Sequence, residues 1–389
     1  MGAYAAVMTG RGVGAISSIA VVGDSAKQVL EKIFVPDRRR TVSLAVGSSY
    51  VGTINDEKGA IDQVTVGCEG EQHFAINCHG NPLIVEMIMQ LLQQQGVTLI
   101  SSEELLEKIT AEHGLGNAIA KEAKLTYLRA QTLDGTRVIA NQVEGGLSRV
   151  AADWLENLDT ISLDEIRSCA REILEKSQTA RFLIDGCKVV LIGPPNSGKS
   201  LLFNNLCGKE KAIVTEIAGT TRDWVSAKCR IGRMLVELVD TAGVAETLAA
   251  AGGEADRIAQ ERSVKLLQEA DLVLLVLDIT QGEGQVNEKL MQLLSDKRVI
   301  TVLNKCDLEN GTKSCFFLQK FPEISKISAK FGTNLDKIIE KMQQVCGVEG
   351  FDVRSAMCFT ERQKRLVRRL AEAGSKGEAK EAIRELVNG

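Results

Sequence analysis

The sequence predicts an α/β phosphate-binding domain inserted in a helical domain and preceded by a small α+β domain. Three observations predict it. In "VVLIGPPNSGKSLLFNNLCG", residues 189–208, a glycine-bearing loop stands between an apolar β-branched run and a helix-like segment. Strand and helix patterns alternate over 186–347, with helical periodicity on both sides, at 99–185 and 348–389. Short β-rich runs fill residues 1–98.

Taken in order, the first domain rests on "SSIAVVG", "SLAVGSSYVGTI", "IDQVTVGC" and "HFAINCHG", which are separated by Gly, Asp and Glu clusters. Its His73, Cys78 and His79 fit no structural zinc spacing and read as packing or solvation. Helix begins where Ser101 and Ser102 are followed by Glu103 and Glu104, and it breaks near Gly114, Gly135 and Gly145. In the tail, Leu366, Leu370 and Ala373 share one helix face, as do Ala379, Ile383 and Leu386. A chain of 389 residues, 44% hydrophobic and 25% charged, buries cores of two or three domains. Its net charge of -4 gives no global attraction for nucleic acid, so any RNA contact needs a local basic patch. The ten cysteines include no C-x-x-C pair, and no apolar run reaches 18 residues. Both features point to a reducing cytoplasm and away from a membrane.

The loop supplies the first chemistry. Gly193, Gly198, Lys199 and Ser200 fill the G-x-x-x-x-G-K-[ST] template. Backbone N–H groups of Asn196, Ser197, Gly198, Lys199, Ser200 and Leu201 are expected around a pyrophosphate, with the Lys199 charge at the β- and γ-phosphates and the Ser200 hydroxyl on Mg²⁺. This template specifies a nucleoside triphosphate and not the base. "VITVLNKCDL" then places Asn304, Lys305 and Asp307 after a second buried-type strand. A buried carboxylate at Asp307 would meet two donors on guanine, N1–H and the exocyclic amine, and none on the same edge of adenine. In "KISAKFGTN", the backbone of Ser328, Ala329 and Lys330 is expected to donate to guanine O6. Asp240 ends the strand in "MLVELVDTAGVAET" and suits Mg²⁺ through a water, Gly243 offers an N–H to the γ-phosphate, and Thr221 completes the Mg²⁺ shell while that phosphate is present. The domain therefore reads as an α/β P-loop GTPase that turns GTP into GDP and phosphate.

Together, "GPPNSGKS", "AIVTEIAGTTRD", "DTAG", "NKCD" and "SAK" resemble the TrmE-Era group of GTPases, and "IVTEIAGTTRD" resembles the MnmE (TrmE) family in particular. "GTINDEKGAIDQVTVGC" and "FAINCHGNPLIVEMIMQLLQQQGV" are similar to that family's folate-binding, dimerising domain, and Arg11 in "TGRG" to its glycine-rich turn. The resemblance implies K⁺ stimulation, with Asn196 and main-chain oxygens of Thr215, Ile217 and Thr220 holding the ion. It also implies a homodimer, a tetrahydrofolate derivative, and work on the tRNA wobble uridine beside a flavin-dependent partner. Val244 stands where Ras-like proteins carry a water-orienting Gln. The family instead uses a Glu in E-R-I-G-x-E-R, which "DRIAQERS" matches at Asp256, so Asp256 joins Lys199 as a catalytic candidate. Glu254 is the fallback, and a solvated acidic helix start is the other reading of both.

The sequence also departs from the family. It closes on "IRELVNG" without C-[ILV]-G-K, reads "SSEELLEKITAEHGLG" where P-G-E-F is usual, and has no basic residue between Val13 and Gly23. These departures set out an alternative: an MnmE- or Era-like switch that has dropped the modification chemistry and binds RNA, ribosome or protein partners. "TERQKRLVRRL" gathers Arg362, Lys364, Arg365, Arg368 and Arg369 on one helix, which reads either as a salted face or as a patch for RNA or an acidic partner.

Overall fold

A computed structural model describes residues 2–10, 14–37, 44–112, 117–209, 225–241, 261, 264–282, 284–286, 288–308 and 323–389. The chain divides into two compact units, Met1–Gly116 and Asn117–Gly389.

In the first unit the described strands are β1 (Ala3–Val7), β2 (Ile16–Gly23), β3 (Phe34–Pro36), β4 (Ser49–Asp56), β5 (Gly59–Gly70), β6 (His73–His79) and β7 (Thr98–Leu99). They form one sheet in the order β3-β4-β5-β6-β2-β1-β7. Neighbours run antiparallel except β1 and β7, which are parallel. β6 alternates half-buried and buried positions, so every second side chain faces a core built with α1 (Ala26–Ile33) and α2 (Pro82–Gln94). Asn81 starts α2 by accepting from the Leu83 N–H, and Pro82 occupies the first helical position, where no N–H is needed. On the opposite face α3 (Ser102–Glu112) sets Leu105 against Ala6 and Val22. With β7 paired to β1 and α3 packed there, this unit runs to Gly116, beyond the boundary at 98 that sequence texture suggests. Cys78 turns inward and donates to Ser17 O at 3.5 Å, while His79 Nδ1 lies 2.7 Å from Asp62 Oδ1. Each thus has a protein partner.

The second unit carries a sheet of β8 (Cys187–Ile192), β9 (Val225–Ile231), β10 (Met234–Asp240), β11 (Leu272–Asp278), β12 (Val299–Asn304) and β13 (Ser325–Lys326), in the order β13-β12-β11-β8-β10-β9. Only β9 pairs antiparallel. Every residue of β11 is buried, as a parallel strand covered on both faces requires. α8 (Lys199–Lys209) covers one face; Leu290 and Leu294 of α9 (Glu288–Leu294) join the cluster on the other. α10 (Leu335–Val345) sends Leu335, Ile338 and Met342 to the α8 side.

Four helices precede this sheet: α4 (Ala118–Tyr127), α5 (Leu133–Glu144), α6 (Gly146–Glu156) and α7 (Leu163–Ile184). α11 (Glu361–Glu372) and α12 (Lys376–Asn388) follow it and return to the same helices, α11 against α7 and α12 against α6. One apolar cluster runs from Ile119 and Trp154 through Leu366 and Leu386 to Leu202 under the sheet. A capping box fixes the start of α7, Ser162 accepting from the Glu165 N–H while Glu165 accepts from the Ser162 N–H. Gln142 of α5 is buried between segments, donating to Val138 O and Ser355 O and accepting from the Leu147 and Met357 N–H groups. Arg233, at the β9–β10 turn, reaches Asp134 of α5 at 2.6 Å and Val348 O at 2.7 Å.

Candidate nucleotide site

The carboxyl ends of β8, β10, β11 and β12 lie side by side, Asp240 in register with Leu191 and Asp278 with Asn304. Loops leaving this edge of a parallel sheet are where ligands bind in such folds. Gly193 leaves β8 at φ 151°, where a Cβ would fall 2.0 Å from Val276 O. At Gly198, φ is 94° and a Cβ would fall 2.2 Å from Asn304 Nδ2. Between them Asn196 is exposed and takes a left-handed φ of 58°. Lys199, the first residue of α8, is buried, and its ammonium donates to Gly193 O at 3.0 Å and Pro194 O at 2.8 Å. Ser200 and Leu201 are exposed at the same helix start.

Asn304 joins three stretches far apart in sequence. Its Nδ2 donates to Ser197 O at 2.8 Å, and its Oδ1 accepts from the Ala329 N–H at 2.9 Å. Asn205 of α8 adds a bond to Ala329 O at 2.6 Å. The expected donors of the 328–330 segment are therefore partly engaged: Ala329 N–H is on Asn304, and Ser328 N–H is on Thr333 O at 3.3 Å. Lys330 is exposed, its ammonium 5.1 Å from the Phe331 ring centroid.

Asp307 is exposed, where the sequence reading expects a buried carboxylate. It sits in the short 3-10 turn Cys306–Leu308, outside the end of β12, with Oδ1 accepting from Ser328 Oγ at 2.5 Å. Asp240 is buried, and its Oδ1, like Ser197 Oγ, has no hydrogen-bond partner among the described residues. Buried polar atoms left open in this way mark a place for a ligand or ion. Its neighbour Thr241 is anchored to Leu191 O at 2.5 Å.

Sequence reasoning missed Asp278. Only 1% exposed, it accepts from Lys305 Nζ at 2.6 Å and from Thr280 N–H and Oγ–H at 2.9 and 2.7 Å. Burial pushes this carboxyl up, but the Lys305 and Thr280 donors outweigh it and hold it below the ordinary aspartate value of 3.8. Lys305 is thereby tied to β11 in a left-handed conformation, φ 65°, that turns the chain from β12 toward Asp307. The one signal was a carboxylate closing the apolar run "LVLLVLD", a position that demands a partner. Arg11, Thr215, Ile217, Thr220, Thr221, Gly243, Glu254 and Asp256 lie outside the described residues.

A family model described as a 50S ribosome-binding GTPase matches residues 188–305. The tRNA modification GTPase MnmE of Lactococcus lactis subsp. lactis is 32% identical over 374 residues, covering 88% of this chain and 80% of the relative. That of Bacillus subtilis is 32% identical over 345 residues, with 79% and 74% covered. Among solved structures, Era of Aquifex aeolicus bound to GDP and aluminium fluoride is similar over 46% of this chain and 64% of that one, at 25% identity and a TM-score of 0.32.

Proposed function

The chain belongs to the MnmE family of tRNA modification GTPases, and from that membership we propose that it hydrolyses GTP in the pocket at the carboxyl ends of β8, β10, β11 and β12. The Asn304 side chain supports this placement most directly, because it binds the phosphate loop at Ser197 and the 328–330 segment at Ala329 at once. Backbone N–H groups of Asn196 to Leu201 cradle the phosphates, and Lys199 exchanges its bonds to Gly193 O and Pro194 O for bonds to the β- and γ-phosphates. Asp307 reads the base. Exposed and steadied by Ser328, it is free to accept from guanine N1–H and the exocyclic amine. Each such charged bond is worth about 1.5–3 kcal/mol, and adenine offers neither.

Mg²⁺ fits Asp240, Ser200 and Thr221, since the open Asp240 Oδ1 is a buried oxygen with acceptor capacity to spare. K⁺ fits Asn196, helped by main-chain oxygens of Thr215, Ile217 and Thr220. When bound, the two cations supply positive charge against the transferring phosphoryl group. Gly243 donates its N–H to the γ-phosphate, and Asp256 orients the attacking water. At the level of the whole chain, we propose a GTPase domain over 186–347 inserted in a helical domain formed by 117–185 and 348–389. We further propose a cytoplasmic homodimer that binds a tetrahydrofolate derivative near Arg11 and acts on tRNA with a flavin-dependent partner.

Nucleotide competition on the full chain tests the central claim. GTP and GDP should bind with Mg²⁺ far more tightly than ATP, and Asp307→Asn should move the preference to xanthine nucleotides, whose C2 oxygen accepts where guanine donates. Equal affinity for GTP and ATP in the parent would refute it.

A further inference from the structure

We propose that the cavity between α7, α11 and the turn preceding β12 binds a compact phosphate-bearing ligand, at a site separate from the nucleotide pocket. The cavity has a volume of about 360 Å³, and its wall includes Gln178 and Arg181 of α7, Lys364 and Arg368 of α11, and Arg298. Four cationic side chains from three segments thus face one space.

Two of them have acidic partners, Arg181 with Asp271 at 2.6 Å and Lys364 with Glu361 at 2.7 Å. Arg298 and Arg368 form no ion pair among the described residues. The guanidinium carbons of Arg181 and Arg298 lie 4.8 and 5.4 Å from the centroid of the same Phe182 ring, a cation–π contact for each. Like charges gathered around one cavity repel unless an anion sits among them. Planar guanidinium groups offering paired donors suit phosphate oxygens better than a lone carboxylate. A cavity this size, at the small end of ligand pockets, admits a phosphate and the group it esterifies.

The rest of α11 argues against an extended nucleic-acid track. Arg362 turns inward to Glu122 Oε1 and to Glu385 O and Leu386 O, and Arg369 pairs with Glu385 at 2.7 Å. With a net charge of -4, and with Arg362, Lys364 and Arg369 of this helix each paired to a carboxylate, the cavity favours one phosphate over a run of backbone phosphates.

The test uses the full chain saturated with Mg²⁺ and a non-hydrolysable GTP analogue, so that the γ-phosphate position is filled. Inorganic phosphate and pyrophosphate are titrated by calorimetry, alongside a short single-stranded oligoribonucleotide. Saturable phosphate or pyrophosphate binding is expected, weakened about tenfold or more in both Arg298→Gln and Arg368→Gln, the loss of one charged hydrogen bond or more. The exposed Arg365 serves as control: Arg365→Gln should bind phosphate like the parent, and all three variants should keep the parental analogue affinity. Absence of saturable phosphate binding overturns the proposal, as does binding that Arg298→Gln and Arg368→Gln leave unchanged. Binding of the oligoribonucleotide through Arg368 without any binding of phosphate or pyrophosphate also overturns it, by making this an RNA contact.

Discussion

Two buried amides in the second unit, Gln142 and Asn304, do similar work in different company. Gln142 fills both donor and both acceptor positions of its side chain, with Val138 O, Ser355 O, Leu147 N–H and Met357 N–H. Around it the helical region forms a closed network. Asn304 likewise bridges distant segments, yet beside its loop Ser197 Oγ and Asp240 Oδ1 stay open among the described residues. A closed polar network holds a fold, and one with unmet positions is completed by what binds there.

The sharpest way to break this contrast is Lys199→Ala. GTP turnover, read as phosphate release, should fall on the order of a thousandfold or more, with little change in the unfolding midpoint, because the lysine acts on the substrate. A variant that loses stability as well as turnover would place Lys199 on the structural side. Gln142→Leu is the mirror image. It strands two buried N–H groups and a carbonyl, and denaturant unfolding should show a loss of about 3 kcal/mol, with nucleotide affinity within roughly twofold of the parent. A loss no greater than that of an exposed substitution would mean that the closed network does not support the fold.

Turnover should be several-fold faster in K⁺ than in Na⁺ at matched ionic strength, which removes screening as the cause, and Asn196→Ala should abolish the ratio. A ratio that survives would remove Asn196 from the cation site. The smallest effect concerns Asp278. Its folded pKa lies below 3.8, so its stabilising contribution is present above that value and is lost as pH falls through the lower folded value. Lys305→Met removes one of the donors that lower it and leaves burial unopposed by that charge, so the acid-unfolding midpoint should rise by a fraction of a pH unit. An unchanged midpoint would show that the Lys305–Asp278 contact contributes no stability.

The phosphate loop and the 304–307 segment were legible because chemistry fixes both the residue types and their spacing. Alternation in "HFAINCHG" and the apolar run in β11 were legible because burial on one or both faces leaves a local period. Long-range pairing leaves no such trace. Arg362 reads as one member of a basic helix, and only the fold shows its guanidinium spent on Glu122, 240 positions away. Asp307 reads as buried because it follows a buried strand, but β12 ends at Asn304 and the next turn lifts the carboxylate into solvent. Helical texture assigned α3 to the helical region, whereas Leu105 packs against the first sheet. Composition names an element's type and not its neighbour.

The contact between Gly198 and Asn304 bears on how this protein can change over generations. Any side chain at 198 would collide with the Asn304 amide, and altering residue 304 would remove the tie that steadies the phosphate loop at Ser197. While Asn304 holds the loop, residue 198 has no room for a side chain. Asp307 lies outside that constraint, three residues along the turn and touching only Ser328 among the contacts described above. A lineage exploring a new purine has one inexpensive step open to it, and that step leaves the grip on the phosphates untouched.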